Sequence, residues 1–354
     1  MKFAKVNKSR AEELKRILKK YNAVNNKYLI DHDADYVYFP LKNELPDVAK
    51  GIAEVVEAKG HKNIKRGDSF KEKLAAILPQ EKITSITNGY DIYGNIGVLD
   101  IEDDVILYEK EIAKALMESD KRITTVLKKD GAVYGDYRLR NFKYIAGKKS
   151  FNTTIKENDC VFRLDIRKAF FSNRLAFERN RISRLAVHDK NIAVMFAGVG
   201  PFAIEIAKRN KNANIIAIEL NKDAYNYMKK NIKENKTYNV KPILGDVKEV
   251  AKKYSCFADR IVMPLPKSSI NFLDEAYKVA RNGCIVHLYV FGNINTAYKD
   301  IVENIKQNAK KNKYKVEFIF QRTVRPYSPS EIEICVDYKI TKKCNGESQA
   351  KQGQ

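Results

Sequence analysis

The sequence predicts an α/β protein. Its C-terminal half should be a mostly parallel sheet covered by helices and closed by an antiparallel hairpin. A small α+β N-terminal domain and a mixed α/β middle region should precede it. Three observations carry this expectation. Apolar runs at 192–197, 214–219, 241–244, 259–263 and 284–291 alternate with helical patterns, as parallel strands and their crossover helices do. The last two runs, 315–321 and 331–338, are separated only by Arg322–Ser330 with its two prolines, which suits a hairpin and not a crossover. Val194-Met195-Phe196-Ala197-Gly198-Val199-Gly200 reads as a buried strand entering a glycine turn, with Pro201 opening a helix. At such turns backbone N–H groups can approach a ligand closely.

The elements before the sheet follow the same rules. Ser9–Tyr21 carries Leu14, Ile17, Leu18 and Tyr21 on one stripe, the spacing of an amphipathic helix. Tyr28–Ile30 and Tyr36–Phe39 read as short strands, and Asp47–Lys59 has a second helical pattern. Gly60–Asp68 is polar, basic and bracketed by glycines, as a linker would be. In the middle region Ile83–Thr87, Ile92–Leu99 and Val105–Tyr108 read as strands, Glu109–Ser119 as a helix, and Tyr134–Phe142 and Val161–Ile166 as extended. The expected domains are therefore 1–65, 69–170 and 171–341, with 342–354 as a polar tail.

Composition narrows the partners. The 354 residues are 44% hydrophobic with a formal net charge of +22. The chain can bury real cores, and the basic excess favours a polyanion, nucleic acid first among them. No apolar run approaches the roughly 20 residues of a membrane span. The N-terminus has no apolar signal core. A soluble, cytoplasmic protein and a monomer are expected. Cys160, Cys256, Cys284, Cys335 and Cys344 form no C-x-x-C pair, and there are four His. No metal site is expected.

The motifs around the glycine turn point to a cofactor. Glu219 ends the second apolar run about twenty residues past the turn, where a carboxylate suits a ribose diol. Gly245-Asp246 follows the third run. Asp246 can accept from an adenine amino group or cap the helix beginning at Val247. Met263-Pro264-Leu265-Pro266 follows the fourth run, and two prolines there stop both sheet and helix.

This constellation resembles a class I, Rossmann-like S-adenosylmethionine-dependent methyltransferase. Tyr137-Arg138-Leu139-Arg140, Phe171–Leu175, Phe177-Glu178-Arg179, Phe196–Phe202 and Ala258–Leu273 resemble, in order, the archaeal and eukaryotic tRNA guanine-37 N1-methyltransferase family. The resemblance implies S-adenosylmethionine as cofactor and tRNA as partner. The anticodon loop would lie at the catalytic site, and the outer corner would contact residues 1 to about 65. It implies Glu178 as base, Arg138 as the charge-stabilising arginine and Pro264 in the catalytic loop. It implies cofactor contacts at Arg174, Arg179, Phe196, Gly198, Gly200, Glu219, Leu220, Asp246, Val247, Pro264 and Pro266.

The chemistry agrees with those roles. Guanine N1 carries a proton, so its methylation needs a base within hydrogen-bond reach. Charge then shifts to O6, where a guanidinium can take it up. Two plainer roles compete: helix salt bridges for Glu178 and a phosphate contact for Arg138. The Lys306–Lys315 stretch is either a phosphate surface or a solvated face. Many relatives carry Asn-Leu-Pro in the catalytic loop, whereas this chain has Pro264-Leu265-Pro266. Pro264 offers neither a side-chain polar group nor an N–H. That departure suits a subgroup that also methylates C7 of 4-demethylwyosine at position 37. A 5-methylcytosine RNA methyltransferase needs a cysteine nucleophile, and Met263–Pro266 has none. An amino-methyltransferase would favour an Asp/Asn-Pro-Pro-aromatic loop. A non-catalytic tRNA-binding protein would have no need of Gly198, Gly200, Glu219 and Asp246 together. Deleting residues 1–65 should weaken tRNA binding more than cofactor binding. Filter binding and calorimetry on the truncated chain measure the two separately.

Overall fold

A computed structural model of the chain describes residues 1–33, 35–61, 69–135 and 137–342. The linker residues 62–68 and the tail from 343, with Cys344, lie outside the described residues. The chain divides into two compact units, Met1–Lys73 and Leu74–Gln354.

The first unit is an antiparallel sheet in the order Asp31–His32, Tyr36–Pro40, Lys2–Asn7, Glu54–Glu57. The helix Ala11–Lys20 forms as its stripe predicts, with Leu14 and Leu18 buried alongside Ala4, Val6 and Phe39. Tyr21 is exposed. Two expectations are corrected here. The strand expected at 28–30 falls instead at 31–32, where it pairs with Val37 and Tyr38. The helical pattern at 47–59 yields only a 3-10 turn, Asp47–Ala49, and then the strand Glu54–Glu57. Val55 and Val56 are β-branched and complete the sheet beside Phe3 and Ala4, so tertiary pairing overrides the local period.

The second unit begins with a sheet in the order Asp91–Tyr93, Ile96–Leu99, Thr125–Tyr134, Leu139–Gly147. Residues 83–87, expected as a strand, lie in the helix Gln80–Asn88, because Ile83 and Ile86, three apart, share its buried face. The run 92–99 is a hairpin, not one strand, and Gly94 turns it at φ +57°. Residues 105–108 belong to a 3-10 helix, Asp103–Tyr108, in which only Val105 is buried. The helix Glu109–Ser119 and the strand Cys160–Asp165 form as expected, while the strands Thr125–Tyr134 and Asn152–Glu157 were not anticipated over those spans.

The larger sheet, with its own numbering, follows helix α1 (Ala176–Leu185). Its strands are β1 (Asn191–Val194), β2 (Asn214–Glu219), β3 (Val240–Leu244), β4 (Ala258–Met263), β5 (Ala280–Asn293), β6 (Tyr314–Pro326) and β7 (Glu331–Lys342). The crossover helices are α2 (Pro201–Arg209), α3 (Lys222–Asn235), α4 (Val247–Lys253), α5 (Leu273–Val279) and α6 (Ala297–Lys311). The order is β3-β2-β1-β4-β5-β7-β6, parallel through β5, with β7 antiparallel to both β5 and β6. The predicted closing hairpin is thus present. One core cluster runs from Ile96, Leu127, Phe162 and Leu164 to Ile182, Ile192 and Ile215. The lysine stretch on α6 has Lys311 paired with Asp274 and Lys306 over Phe318.

A buried charge cluster joins α1, α2 and the Asn152–Glu157 strand. Arg179 donates to both oxygens of Glu157, from Nε at 2.5 Å and from Nη2 at 2.7 Å, and Nη2 also bonds the Ser172 carbonyl. Glu205 accepts from Asn158 Nδ2 at 2.8 Å, and Arg179 Nε stands 3.5 Å away. Burial, reinforced by the Glu157 carboxylate, raises the Glu205 pKa well above the usual carboxylate range. Folding therefore binds a proton that the unfolded chain releases above about pH 4.3. The stability this contributes is present at low pH and is lost as pH rises toward the folded value. Glu205→Gln mimics the protonated form, keeping an acceptor for Asn158. Its melting temperature should rise relative to wild type by more at about pH 8.5 than at about pH 5. Thermal melts at both pH values check this.

Candidate active site

The glycine turn is built on left-handed backbone. Phe196, Gly198 and Gly200 have φ of +55°, +59° and +91°. β1 stops because the chain must turn here. Met195 N–H still bonds the Val262 carbonyl and Ala197 N–H the Ile218 carbonyl. Gly200 then serves as N-cap of α2 with Pro201 at its first turn. A Cβ on Gly200 would stand 2.9 Å from Met228 Cγ on α3, whereas one on Gly198 would meet nothing nearer than the Phe170 carbonyl oxygen at 3.8 Å. Gly200 is a packing glycine. Gly198 faces open space.

Glu219 ends β2 beside that space. Its carboxylate accepts from Gly198 N–H at 2.6 Å and from Asn221 N–H at 2.7 Å. Burial raises its pKa, against the lowering effect of these backbone bonds. Asn221 caps α3. The open face of Gly198, edged by a strand-tip carboxylate, fits a ribose-bearing cofactor. Leu220 beside it is exposed. Asp246 caps α4 by accepting from Lys248 N–H at 2.8 Å, the plainer of its two expected roles. The Val247 side chain is in the core. The Phe196 ring meets Phe272 edge-on at 4.8 Å between centroids.

The Pro264 loop is held from below. Leu265 N–H donates to Ser269 Oγ, which donates to the Met263 carbonyl, and the Pro266 carbonyl accepts from Phe291 N–H on β5. The loop is thereby fixed to the strand that carries the next set of site residues.

That set lies on one face of the β5–β7 pair. His287, Tyr289 and Phe291 stand opposite Asp337, Cys335 and Glu333, and α1 covers them. Glu178 of α1 is 1% exposed. Its Oε2 accepts from Arg181 Nη2 at 2.9 Å, Arg181 Nε at 3.1 Å and Tyr289 Oη at 2.9 Å. Its Oε1 lies 3.2 Å from Arg322 Nη1 but accepts no hydrogen bond. The helix salt bridge and a buried carboxylate oxygen that accepts no hydrogen bond therefore coexist on one side chain. Glu333 accepts from Arg325 Nε at 2.6 Å, and burial raises its pKa.

Arg138 arrives from elsewhere. It sits at φ +54° in the turn between the strands Thr125–Tyr134 and Leu139–Gly147. Its guanidinium stacks over Phe170 at 5.0 Å and Phe291 at 5.6 Å, with Phe291 itself stacked on Tyr327. Burial draws its pKa down, and the charge of Glu333 acts against that. Among the described residues no salt bridge to Arg138 is formed. Two aromatic faces and a free fork of donors leave it available to a ligand.

Arg179 is a correction. Its side chain is 2% exposed and committed to Glu157, Glu205 and the Ser172 carbonyl, where the resemblance implied that it faces the cofactor. Arg174 is half-exposed and pairs with Asp91 at 3.2 Å. Tyr289, Arg181, Arg322, Glu333 and Asp337 were not singled out from the sequence. A signal was present. In 286–291 and 333–338 polar and apolar residues alternate, which places His287 and Tyr289 together on one face of their strand and Glu333, Cys335 and Asp337 together on one face of theirs.

Among the described residues no group of three or more His, Cys, Asp or Glu is placed to hold a metal. Among the described residues no helix is long and apolar enough to cross a membrane. The two glycines make separable predictions. Gly200→Ala should cost about 1–3 kcal/mol of stability through strain and the Met228 contact. Gly198→Ala should cost less stability than Gly200→Ala, because no packed side chain stands against it, and should weaken S-adenosylmethionine binding more than Gly200→Ala does. Calorimetric unfolding and ligand titration on both variants measure this.

Comparison with known proteins agrees with this geometry. Residues 153–317 match the TRM5/TYW2 methyltransferase domain, 70–150 the TYW2 N-terminal domain, and 5–50 the tRNA methyltransferase 5 N-terminal domain. The tRNA (guanine(37)-N(1))-methyltransferase Trm5b of Pyrococcus abyssi is 36% identical over 95% of this chain and 98% of its own length. The crystal structure of that protein superposes with a TM-score of 0.72, at 34% identity, over 96% of this chain and 99% of that one. The complex of aTrm5 and tRNALeu superposes with a TM-score of 0.67, at 32% identity, over 95% and 99%. The tRNA 4-demethylwyosine(37)-methyltransferase Taw21 of Saccharolobus solfataricus is 35% identical over 65% of this chain and 84% of its length. With strand order, cofactor turn and sequence in agreement, the chain belongs to the TRM5/TYW2 methyltransferase family.

Proposed function

We propose that this protein methylates N1 of guanosine 37 in tRNA, with Glu178 as general base and Arg138 at O6. S-adenosylmethionine, the family's cofactor, supplies an electrophilic methyl group on its sulfonium. The observation that carries the reading is the pairing of opposite charges around Glu333, which lies within electrostatic reach of both Glu178 and Arg138. A carboxylate with one oxygen free of hydrogen bonds lies on the core side, and a stacked guanidinium with no salt bridge among the described residues lies on the other. Glu178 Oε1 takes the N1 proton. The electron pair left on N1 would form the bond to the methyl carbon as the carbon–sulfur bond breaks, its electron pair staying on sulfur, so that S-adenosylhomocysteine leaves as a neutral thioether. Arg138 donates to O6 as negative charge moves there. Gly198 and Glu219 hold the nucleoside end of the cofactor, and the Pro264 loop lines the transfer site. The target base is normally stacked, so it must be flipped to reach these groups.

The basic charge of the chain and the aTrm5–tRNALeu relative support tRNA as substrate. Residues 1–65 would bind the outer corner, in keeping with the match of 5–50 to a tRNA methyltransferase N-terminal domain. The protein would act as a cytoplasmic monomer. A second activity, methylation of C7 of 4-demethylwyosine at position 37, is favoured by Pro264. A less polar loop suits a larger, flatter base, and Taw21 is a relative.

Two measurements test the proposal. Mass spectrometry of position 37, after separate incubation of guanosine-bearing and 4-demethylwyosine-bearing tRNA with enzyme and cofactor, reads which substrate is methylated. Glu178→Gln should lower the single-turnover rate on guanosine 37 by about 100-fold or more, with cofactor affinity unchanged. A wild-type rate would remove Glu178 as the base.

A further inference from the structure

We infer that Asp337 is a positioning residue for Glu178, acting through Arg181. The inference rests on the reading of Glu178 as the base. Arg181 divides its guanidinium between two carboxylates. Nε and Nη2 serve Glu178, while Nη1 bonds Asp337 Oδ2 at 2.5 Å and Nη2 also reaches Oδ1 at 3.3 Å. Asp337 is held from behind by His287 Nδ1 at 2.7 Å. His287 Nε2 stands 2.6 Å from Arg260 Nη1. Arginine can only donate, so Nε2 accepts and the proton lies on Nδ1, directed at Asp337. Burial lowers the pKa of this imidazole, against the raising effect of Asp337. Arg260 is anchored in turn on Asp189 and the Leu185 carbonyl at the end of α1. The bonds run from Arg260 through His287 into Asp337, which also accepts from Arg181, and Arg181 donates in turn to Glu178.

A purely structural account meets a difficulty. Burying these ions costs several kcal/mol each, and an apolar face of equal volume is often as stable or more so. The arrangement gains one thing that an apolar face cannot give. With Oε2 fixed by Arg181 and Tyr289, the carboxylate plane is set and Oε1 is the oxygen left to receive a proton. The other groups facing Glu178 are Arg322 on β6 and Glu333 and Cys335 on β7. Cys335 Sγ accepts from Arg181 Nη2 at 3.3 Å and donates to Asp337 Oδ1 at 3.2 Å, but of the groups behind Arg181 only Asp337 meets its guanidinium with a carboxylate, through Nη1 and Nη2.

The test is a double-mutant cycle of wild type, Glu178→Gln, Asp337→Asn and the double variant. Each is assayed for single-turnover methylation of guanosine-37 tRNA at saturating cofactor, with dissociation constants for tRNA and S-adenosylmethionine. Asp337→Asn should slow turnover by about 10- to 100-fold, the cost of a misplaced group. Both dissociation constants should stay within about two-fold. The double variant should be no slower than Glu178→Gln alone, because Asp337 has nothing left to position. Asp337→Glu should recover part of the rate. A wild-type rate for Asp337→Asn, or losses that multiply in the double variant, would overturn the inference. A wild-type rate for Glu178→Gln would instead remove the base reading, and the positioning role with it. Should Asp337→Asn fail to fold, Arg181→Lys keeps the charge and loses the fork. The same non-additivity with Glu178→Gln is then required.

Discussion

Arg181 lies between two buried carboxylates, and the face of the sheet beneath α1 is organised around that sharing. A single buried pair would leave each ion with unmet hydrogen-bond capacity. Here Glu178 and Asp337 take opposite sides of one guanidinium, and His287 and Arg260 extend the network until it reaches Asp189. Removing any member strands a neighbour in low dielectric, which is costly. The face can hold this network because β5 and β7 pair in strict alternation. Every second residue from 287 to 291 meets its partner from 337 to 333.

The cofactor side obeys a different constraint. Its polar groups are backbone N–H groups and one carboxylate, and both need the chain to turn sharply at the strand tips. Three left-handed residues within five positions achieve this, one of them Phe196, for which the conformation is unfavourable. The bond from Gly198 N–H to Glu219 ties β1 and β2 at their ends, so the turn is preformed. The Pro266 carbonyl joins the two sides by bonding β5 one residue beyond Val290.

Where the sequence was legible, a single strong period or special residue carried the signal. The parallel strands, the glycine turn, the acid after β2 and the closing hairpin were all read that way. The failures fall where pairing, not pattern, decides. Glu54–Glu57 is a strand because Lys2–Asn7 needs a neighbour. The helix Gln80–Asn88 has too few apolar residues to separate a helical period from a short run. Arg179 shows the limit at the site. The sequence places it beside Glu178 in the motif, but only the fold reveals Glu157 and Glu205 around it. The network behind Glu178 needed the cross-strand register, which no local window contains.

The hairpin that carries Arg138 has one further consequence. Its arms, Thr125–Tyr134 and Leu139–Gly147, are in register except for shifts at Val126/Leu127 and Asp130/Tyr134. Side chains on a strand change face with every residue. A one-residue insertion or deletion between the second shift and the tip would present Leu139 or Tyr137 where the guanidinium stands, with no change in the core. Chain length in this arm is therefore under as tight a restriction as the identity of Arg138 itself. Divergence along the arm should proceed by substitution, or by paired changes that restore the count.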